Sequence, residues 1–377
     1  MTYDLLIAGG GINGCAIARE AALLGLSVLL VEKDDLASHT SSASSKLIHG
    51  GLRYLETYEF RLVREALHER ERMLAAAPHL IRPMAFVLPH AHSVRPWWMV
   101  RAGLYLYDLL GLGSSLPRSR ALRRDDPRLA PIAHNVGGFL YWDAQVDDAA
   151  LVRANAADAI ANGARIETGV GVTGAQRGGT AWDVLLSDGR TVQARAIVNA
   201  TGPWVKEFLE TIRIRTDSGL RLIKGSHIVV PALWEGDHAY ILQQPDRRVV
   251  FATPWRGGTM IGTTDVPVER PEDAAITPAE IDYLSAAANR YFTHQIAPAD
   301  VTATWSGIRA LYDDGRDAAR TITRDYVLEL DERGAPVLSV FGGKITTARA
   351  LAEHAMAKLA PAMRFTARPV TRDQPLP

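Results

Sequence analysis

Three glycines, Gly9, Gly11 and Gly14, stand in a G-x-G-x-x-G spacing within IAGGGINGC. Without Cβ atoms the chain can turn tightly there and admit a pyrophosphate to the backbone N–H groups of a helix N-terminus. Glu32 follows roughly 20 residues later, where its carboxylate would accept hydrogen bonds from an adenosine ribose and repel a 2′-phosphate, which disfavours NADP. A second cluster, TSSASSKLIHGGLRYLE from Thr40 to Glu56, joins hydroxyls and glycines that can donate to phosphate or ring atoms with positive charge from Lys46, His49 and Arg53. Taken alone, that run reads equally well as a polar loop. Cys15 lies in an Ala-rich segment and reads as a small packed side chain. No histidines and carboxylates stand at metal-ligand spacing, so no metal is implied.

The glycines require elements to place them. Tyr3 to Ala8 reads as a buried strand, Cys15 to Gly25 as a helix with Arg19 and Glu20 on one side, and Ser27 to Val31 as a second strand, which is a βαβ beginning. Tyr58 to Ala77 has the pattern of an amphipathic helix with Arg and Glu on its exposed face. Asp147 to Gly163 returns to helical spacing, and strands follow over Ala181 to Leu186 and Ala196 to Ala200. From Leu222 to Thr264, β-rich runs alternate with turns and predict an antiparallel sheet. Strands resume at Tyr326 to Leu330 and Val337 to Phe341, and a last helix covers Thr346 to Leu359.

At 377 residues the chain has room for about two domains. Its 47% apolar and 22% charged residues belong to a folded protein, and no internal repeat is visible. Basic and acidic residues balance at 42 each, which argues against coating nucleic acid by bulk charge. A single cysteine suits a reducing compartment, and the N-terminus lacks a signal peptide's basic region, so a cytoplasmic location is expected. The stretch from Arg82 to Arg128 is locally basic, with eight Arg against three Asp, and includes Trp97, Trp98, Tyr105 and Tyr107. It reads as an insertion: either a core helix flanked by arginines or a surface suited to an anionic bilayer. No apolar run reaches the roughly 20 residues of a spanning helix.

Seven motifs in order carry a family resemblance: GGGING (Gly9 to Gly14), SSASSKLIHGGLRYLE (Ser41 to Glu56), NATGPW (Asn199 to Trp204), KGSHIVVP (Lys224 to Pro231), IGTTD (Ile261 to Asp265), SGIR (Ser306 to Arg309) and FGGKITT (Phe341 to Thr347). Together they resemble the FAD-dependent, membrane-associated sn-glycerol-3-phosphate dehydrogenases over essentially the whole chain. The resemblance implies a mixed α/β fold: a glutathione-reductase-like, amino-acid-oxidase-like FAD-binding Rossmann domain interleaved with an antiparallel-sheet substrate domain. The expected division gives 1–80, 135–225 and 305–365 to the FAD domain, 81–134 and 226–304 to the substrate domain, and 366–377 to a linker or fragment end. Members of that family continue into a helical C-terminal domain, which this sequence is expected to lack.

The resemblance also implies the site. FAD is the expected cofactor, held by Gly9, Gly11, Asn13, Gly14, Glu32, Lys33, Thr40, Ser41, Ser42, Ser45, Leu47, His49, Val170, Gly202, Trp204, Gly342, Gly343, Ile345 and Thr346. Gly342 to Thr346 would turn the positive end of the last helix toward the flavin. The implied reaction oxidises sn-glycerol 3-phosphate to dihydroxyacetone phosphate, with hydride passing to FAD and electrons to a quinone or to oxygen. Arg53, Arg309 and Lys344 are the cations available to a dianionic phosphate, and Tyr54 adds a hydrogen bond. The general base is expected to be His227, among apolar neighbours that keep imidazole neutral, with His49 and deprotonated Lys344 as alternatives and a core histidine as the rival reading of His227. Two rival functions remain: an amine or amino-acid oxidase of the same fold, and a non-catalytic flavin-binding, membrane-docking protein. Peripheral attachment to the inner face of the cytoplasmic membrane and a homodimer complete the expectations.

Overall fold

In the computed structural model, which describes residues 2–313 and 325–377, two sheets organise the chain. The first is built around the strand Thr2–Ala8, which pairs in parallel with Val28–Glu32 on one side and Thr191–Asn199 on the other. Arg165–Thr168 extends it in parallel beyond Val28–Glu32, and Val337–Phe341 extends it beyond Thr191–Asn199. The inner strands Val28–Glu32 and Val337–Phe341 are buried throughout, and Thr2–Ala8 and Thr191–Asn199 are buried over their last four residues, as a parallel sheet covered on both faces requires. The helix Ile12–Leu23 lies between Asp148–Ala161 and Ala348–Met363, so it is buried nearly all round.

That packing corrects one reading. Arg19 and Glu20 do not form a solvent side: both are buried. Arg19 meets Asp158 at 2.5 Å and donates to the carbonyls of Gln374 and Pro375, and Glu20 accepts from the Val370 N–H at 3.2 Å. Residues 366–377, expected as a linker or fragment end, therefore pack against the helix Ile12–Leu23 beside the first sheet. Leu376 N–H donates to Ala76 O at 2.8 Å and its side chain joins the core there.

Among the described residues the second sheet has ten strands. Its centre is an antiparallel run of Gly219–Pro231, Gly258–Gly262, Val249–Trp255 and Ala239–Gln243. Ala239–Gln243 joins Ile81–Pro89 in parallel, and Gly138–Val146 and Leu47–Ile48 follow antiparallel. Ala303–Asp313 pairs with nearly the full length of Gly219–Pro231. Gly138–Val146, the start of Gly219–Pro231 and Ala303–Asp313 thus belong to this sheet, although the sequence-based boundaries place residues 135–225 and 305–365 with the cofactor domain. The cause is partner choice: alternation identifies a strand but not its neighbour. Residues 314–324 of that division lie outside the described residues.

The basic segment Arg82 to Arg128 is no separate insertion, since Ile81–Pro89 and Arg120–Leu122 both pair with Gly138–Val146. Between them the helix Trp97–Leu110 buries Leu104 and Tyr107 and leaves Trp98 67% and Tyr105 62% exposed. Among the described residues no helix is long and apolar enough to cross a membrane.

Candidate active site

The glycine loop is shaped by contacts that a side chain would block. Gly9 leaves the first strand at φ +110°, a conformation L side chains rarely adopt, and a Cβ there would lie 2.5 Å from Ala200 O. At Gly14 a Cβ would lie 1.9 Å from the backbone Gly9 O, so the helix approaches the end of the strand this closely only because Gly14 lacks one. The loop is braced from two sides. Ile12 N–H donates to Ser41 Oγ at 3.0 Å, and Gly10 N–H donates to Glu32 Oε2 at 2.6 Å. Glu32 Oε1 accepts from Asp34 N–H at 2.9 Å, so its carboxylate is oriented at the cavity wall.

A cavity of about 1230 Å³ runs from this loop into the space between the two sheets. That volume exceeds the usual few hundred to 1,000 Å³ of a single small-ligand pocket, as a dinucleotide plus substrate would need. Of the expected cofactor residues, Gly9, Gly11, Asn13, Glu32, Lys33, Thr40, Ser41, Ser45, Leu47, His49, Gly202, Trp204, Gly342, Gly343, Ile345 and Thr346 line it. Three do not. Gly14 packs beneath Gly9, the Ser42 hydroxyl turns back to His39 O, and Val170 N–H donates to Glu32 O while its neighbours Gly171 and Val172 face the cavity.

The lining fits FAD on its own terms. Asn13 donates through Nδ2 to Gly342 O at 3.2 Å, while its Oδ1 is buried without a protein partner. Lys33 Nζ sits 4.4 Å from the Trp204 ring centroid and His39 packs on the same ring, which makes a flat, cationic wall beside Glu32. The last helix begins at Ala348, later than Thr346, after a turn through Gly342 and Gly343. A Cβ on Gly343 would lie 2.7 Å from Asn13 Nδ2 at φ +98°. Gly343→Val is therefore expected to lower FAD occupancy in the purified protein, read from its visible absorbance per mole; wild-type occupancy would refute the contact's importance.

At the other end of the cavity lie all five expected catalytic residues: Arg53, Tyr54, His227, Arg309 and Lys344. Lys344 Nζ stands 4.3 Å from the Tyr54 ring centroid, which joins the Leu52–Thr57 turn to the segment after Phe341. Arg53 has no ion pair among the described residues, so its guanidinium is free for a ligand. Arg309 donates to Thr264 O and Asp265 Oδ1, each at 2.9 Å, and its Nε is buried without a partner. Lys46, counted from sequence among the positive charges, is withdrawn: its ammonium is buried against Asp148 at 2.7 Å.

His227 is buried, its ring stacked on Trp305 at 5.4 Å between centroids, with Nε2 2.9 Å from Ser45 Oγ and Nδ1 sealed without a partner. Burial, reinforced by Lys46 and Arg309, pushes its pKa down to about 3; burial lowers that of His49 as well. Both rings are thus neutral at neutral pH. The unfolded chain protonates His227 near 6.5 and the folded chain near 3, so the unfolded state binds more protons between these values. Stability is expected to fall as pH drops from about 6.5 to about 3, with no contribution from this group above that window. His227→Gln should flatten the decline in thermal midpoint, and an unchanged slope would exclude His227 as its source. Cys15 is buried and its thiol is pushed up to about 12, which leaves it inert.

Some of this site has no local sequence signal. Asp265, which holds Arg309, lies in the IGTTD motif, 44 residues from its partner, and nothing local to that motif signals the pairing. Trp305, Phe251, Arg221 and Arg248 come to the site through sheet pairing: His227 lies opposite both Gly262 and Trp305, and Phe251 lies opposite Gly262. Arg221, Arg248 and Phe251 line the cavity.

A family described as FAD dependent oxidoreductase matches residues 4–349. The D-erythritol 1-phosphate dehydrogenase of Brucella abortus is 51% identical, covering 100% of this chain and 77% of its own length. The glycerol-3-phosphate dehydrogenase of Pseudomonas aeruginosa is also 51% identical, over 100% of this chain and 75% of its own. The chain thus spans about three-quarters of the length of these curated relatives. Among solved structures, the glycerol-3-phosphate dehydrogenase from Bacillus halodurans complexed with FAD superposes with a TM-score of 0.76 at 27% identity, covering 100% of this chain and 68% of that one.

Proposed function

The chain belongs to the FAD-dependent oxidoreductase family, and from that premise we propose that it oxidises sn-glycerol 3-phosphate to dihydroxyacetone phosphate. The observation that carries this reading is the convergence, in one cavity, of a dinucleotide cradle with Arg53, Arg309, Lys344 and two neutral histidines. Relatives bearing both polyol-phosphate names, at 51% identity over the whole chain, support the substrate class. FAD, when bound, supplies the acceptor for the hydride that leaves the substrate's secondary carbon.

The chain's own residues do the rest. Arg53, Arg309 and Lys344 bind and orient the phosphate dianion, and Tyr54 adds a donor at its edge. Asp265 and Thr264 O fix the direction of Arg309. The hydroxyl proton is taken at His227 Nε2, which gives up Ser45 Oγ to do so; a neutral ring is required for that role. Loss of the ring in His227→Ala is expected to slow substrate-driven flavin reduction about 10²-fold or more across neutral pH. An unchanged rate would pass the role to His49 or Lys344.

The erythritol-phosphate relative motivates a second reading, in which a longer phosphorylated polyol is the preferred substrate. Comparing kcat/KM for sn-glycerol 3-phosphate and D-erythritol 1-phosphate separates the two. Turnover of glycine or sarcosine instead would favour the amine-oxidase reading.

Electron transfer to a quinone and peripheral attachment to an anionic membrane belong to the same proposal. They are supported by the cavity's apolar mouth, where Tyr58, Phe60 and Met99 are exposed and Arg95 stands beside them. Salt-sensitive binding to anionic liposomes is expected. No co-sedimentation at low salt would remove the membrane part of the proposal.

A further inference from the structure

We propose that Tyr107 is a positioning residue, whose hydroxyl sets the backbone of Gly50 and thereby the substrate-facing segment from His49 to Tyr54. This inference rests on the polyol-phosphate reading only for its kinetic arm.

The hydroxyl sits at the centre of a buried chain of hydrogen bonds. Gly50 N–H donates to Tyr107 Oη at 2.9 Å, and Tyr107 Oη donates in turn to Asp143, 2.9 Å from either carboxylate oxygen. Arg70 Nη1 holds Asp143 Oδ1 at 2.7 Å and also donates to Trp142 O, and Arg70 Nη2 reaches Ser114 Oγ at 3.0 Å. Tyr107, Asp143 and Arg70 are each at most 3% exposed. A charged pair sealed this deeply fixes the position of whatever it touches, because moving any member leaves a buried polar group unpaired.

What it touches is the edge of the site. Leu47 and Ile48 pair with Gln145 and Ala144, and that short ladder ends one step before His49. Beyond it the chain has no sheet partner among the described residues, and the Gly50 N–H bond to Tyr107 takes over from the ladder. The fit is close on the other side too: a Cβ on Gly50 would lie 2.6 Å from Tyr107 Oη and 2.5 Å from Leu67 Cδ2. The next residues close a turn, with Tyr54 N–H donating to Gly51 O at 2.8 Å, and present Arg53 and Tyr54 to the cavity. Tyr107 comes from a separate helix, Trp97–Leu110, and does not line the cavity itself.

Tyr107→Phe removes only the hydroxyl and leaves Asp143 paired with Arg70. Gly50 N–H then has Asp143 Oδ1, now 3.3 Å away, as its remaining acceptor, and the segment must shift by a few tenths of an ångström to use it. Two readouts test the proposal on the FAD-loaded protein. Amide hydrogen exchange should accelerate in peptides covering residues 49–57 and nowhere else, with FAD content unchanged. The kcat/KM for sn-glycerol 3-phosphate should fall about 10- to 100-fold, as expected for a small misplacement of binding groups. That loss should shrink when Tyr107→Phe is made in an Arg53→Ala background, the remainder passing through His49 and Tyr54 on the same segment. Unchanged exchange over 49–57, or an equal fold-loss in both backgrounds, would overturn the proposal. If the wild-type protein does not oxidise this substrate, the functional reading fails while the exchange result still decides the role of Tyr107.

Discussion

Gly14→Ala is expected to give a protein that purifies without FAD. The new Cβ would stand 1.9 Å from Gly9 O, a backbone atom that cannot rotate away, so the helix Ile12–Leu23 must move off the end of the strand Thr2–Ala8. That motion pulls the Ile12 N–H from Ser41 Oγ and the Gly10 N–H from Glu32, the two bonds that hold the loop open to a pyrophosphate. Overpacking at a buried contact costs about 1–3 kcal/mol, which a domain with this core survives. The outcome is a folded, colourless protein, checked by visible absorbance alongside far-ultraviolet circular dichroism. Wild-type flavin content in this variant would show that the glycine loop does not carry the cofactor.

Arg309→Ala should produce the second large effect, a fall in kcat/KM for sn-glycerol 3-phosphate of about 10²–10³-fold with FAD content retained. Two causes add. A charge-assisted donor to the substrate is lost, and Asp265, now 2.9 Å from Arg309, becomes an unopposed negative charge facing a dianion. Arg309→Lys should recover only part of the loss, because Arg309 Nη2 gives both its bonds to Thr264 O and Asp265 and the guanidinium still has other N–H groups for a phosphate, whereas an ammonium has three donors in all. If instead the alanine variant keeps wild-type kcat/KM, Arg309 is a structural ion pair and the phosphate site lies elsewhere.

The parts of this protein that were legible in its sequence are those whose physics is local. Gly9, Gly11, Gly14 and Glu32 specify a strand, a tight turn, a helix N-terminus and a strand end within one short segment, and the structure places each accordingly. The segments Leu222 to Thr264 likewise read as antiparallel strands from turns and alternation. What did not read out depends on distant partners. Lys46 looked like a ligand-facing cation, but Asp148, 102 residues away, takes its charge. Arg19 and Glu20 looked like a solvated face, but a tail more than 300 residues downstream covers them. Arg70 likewise belonged to the exposed face of an amphipathic pattern and is instead buried against Asp143. In each case the side chain's type was informative about chemistry, and the sheet order that decides its neighbour was not encoded nearby.

The site divides the same way. The apolar neighbours of His227 point to a neutral ring, but its bond to Ser45, in the loop before Leu47–Ile48, and its stacking on Trp305 join segments distant in sequence.

On the proposed function, FAD and a phosphorylated polyol meet in one cavity. The direct test is the visible spectrum of the purified protein before and after anaerobic addition of sn-glycerol 3-phosphate. Flavin bands that bleach with this substrate, and not with glycerol, glycine or sarcosine, are the expected result and establish cofactor, hydride transfer and the need for phosphate together. Bands that persist with sn-glycerol 3-phosphate, or that bleach equally with unphosphorylated glycerol, would contradict it.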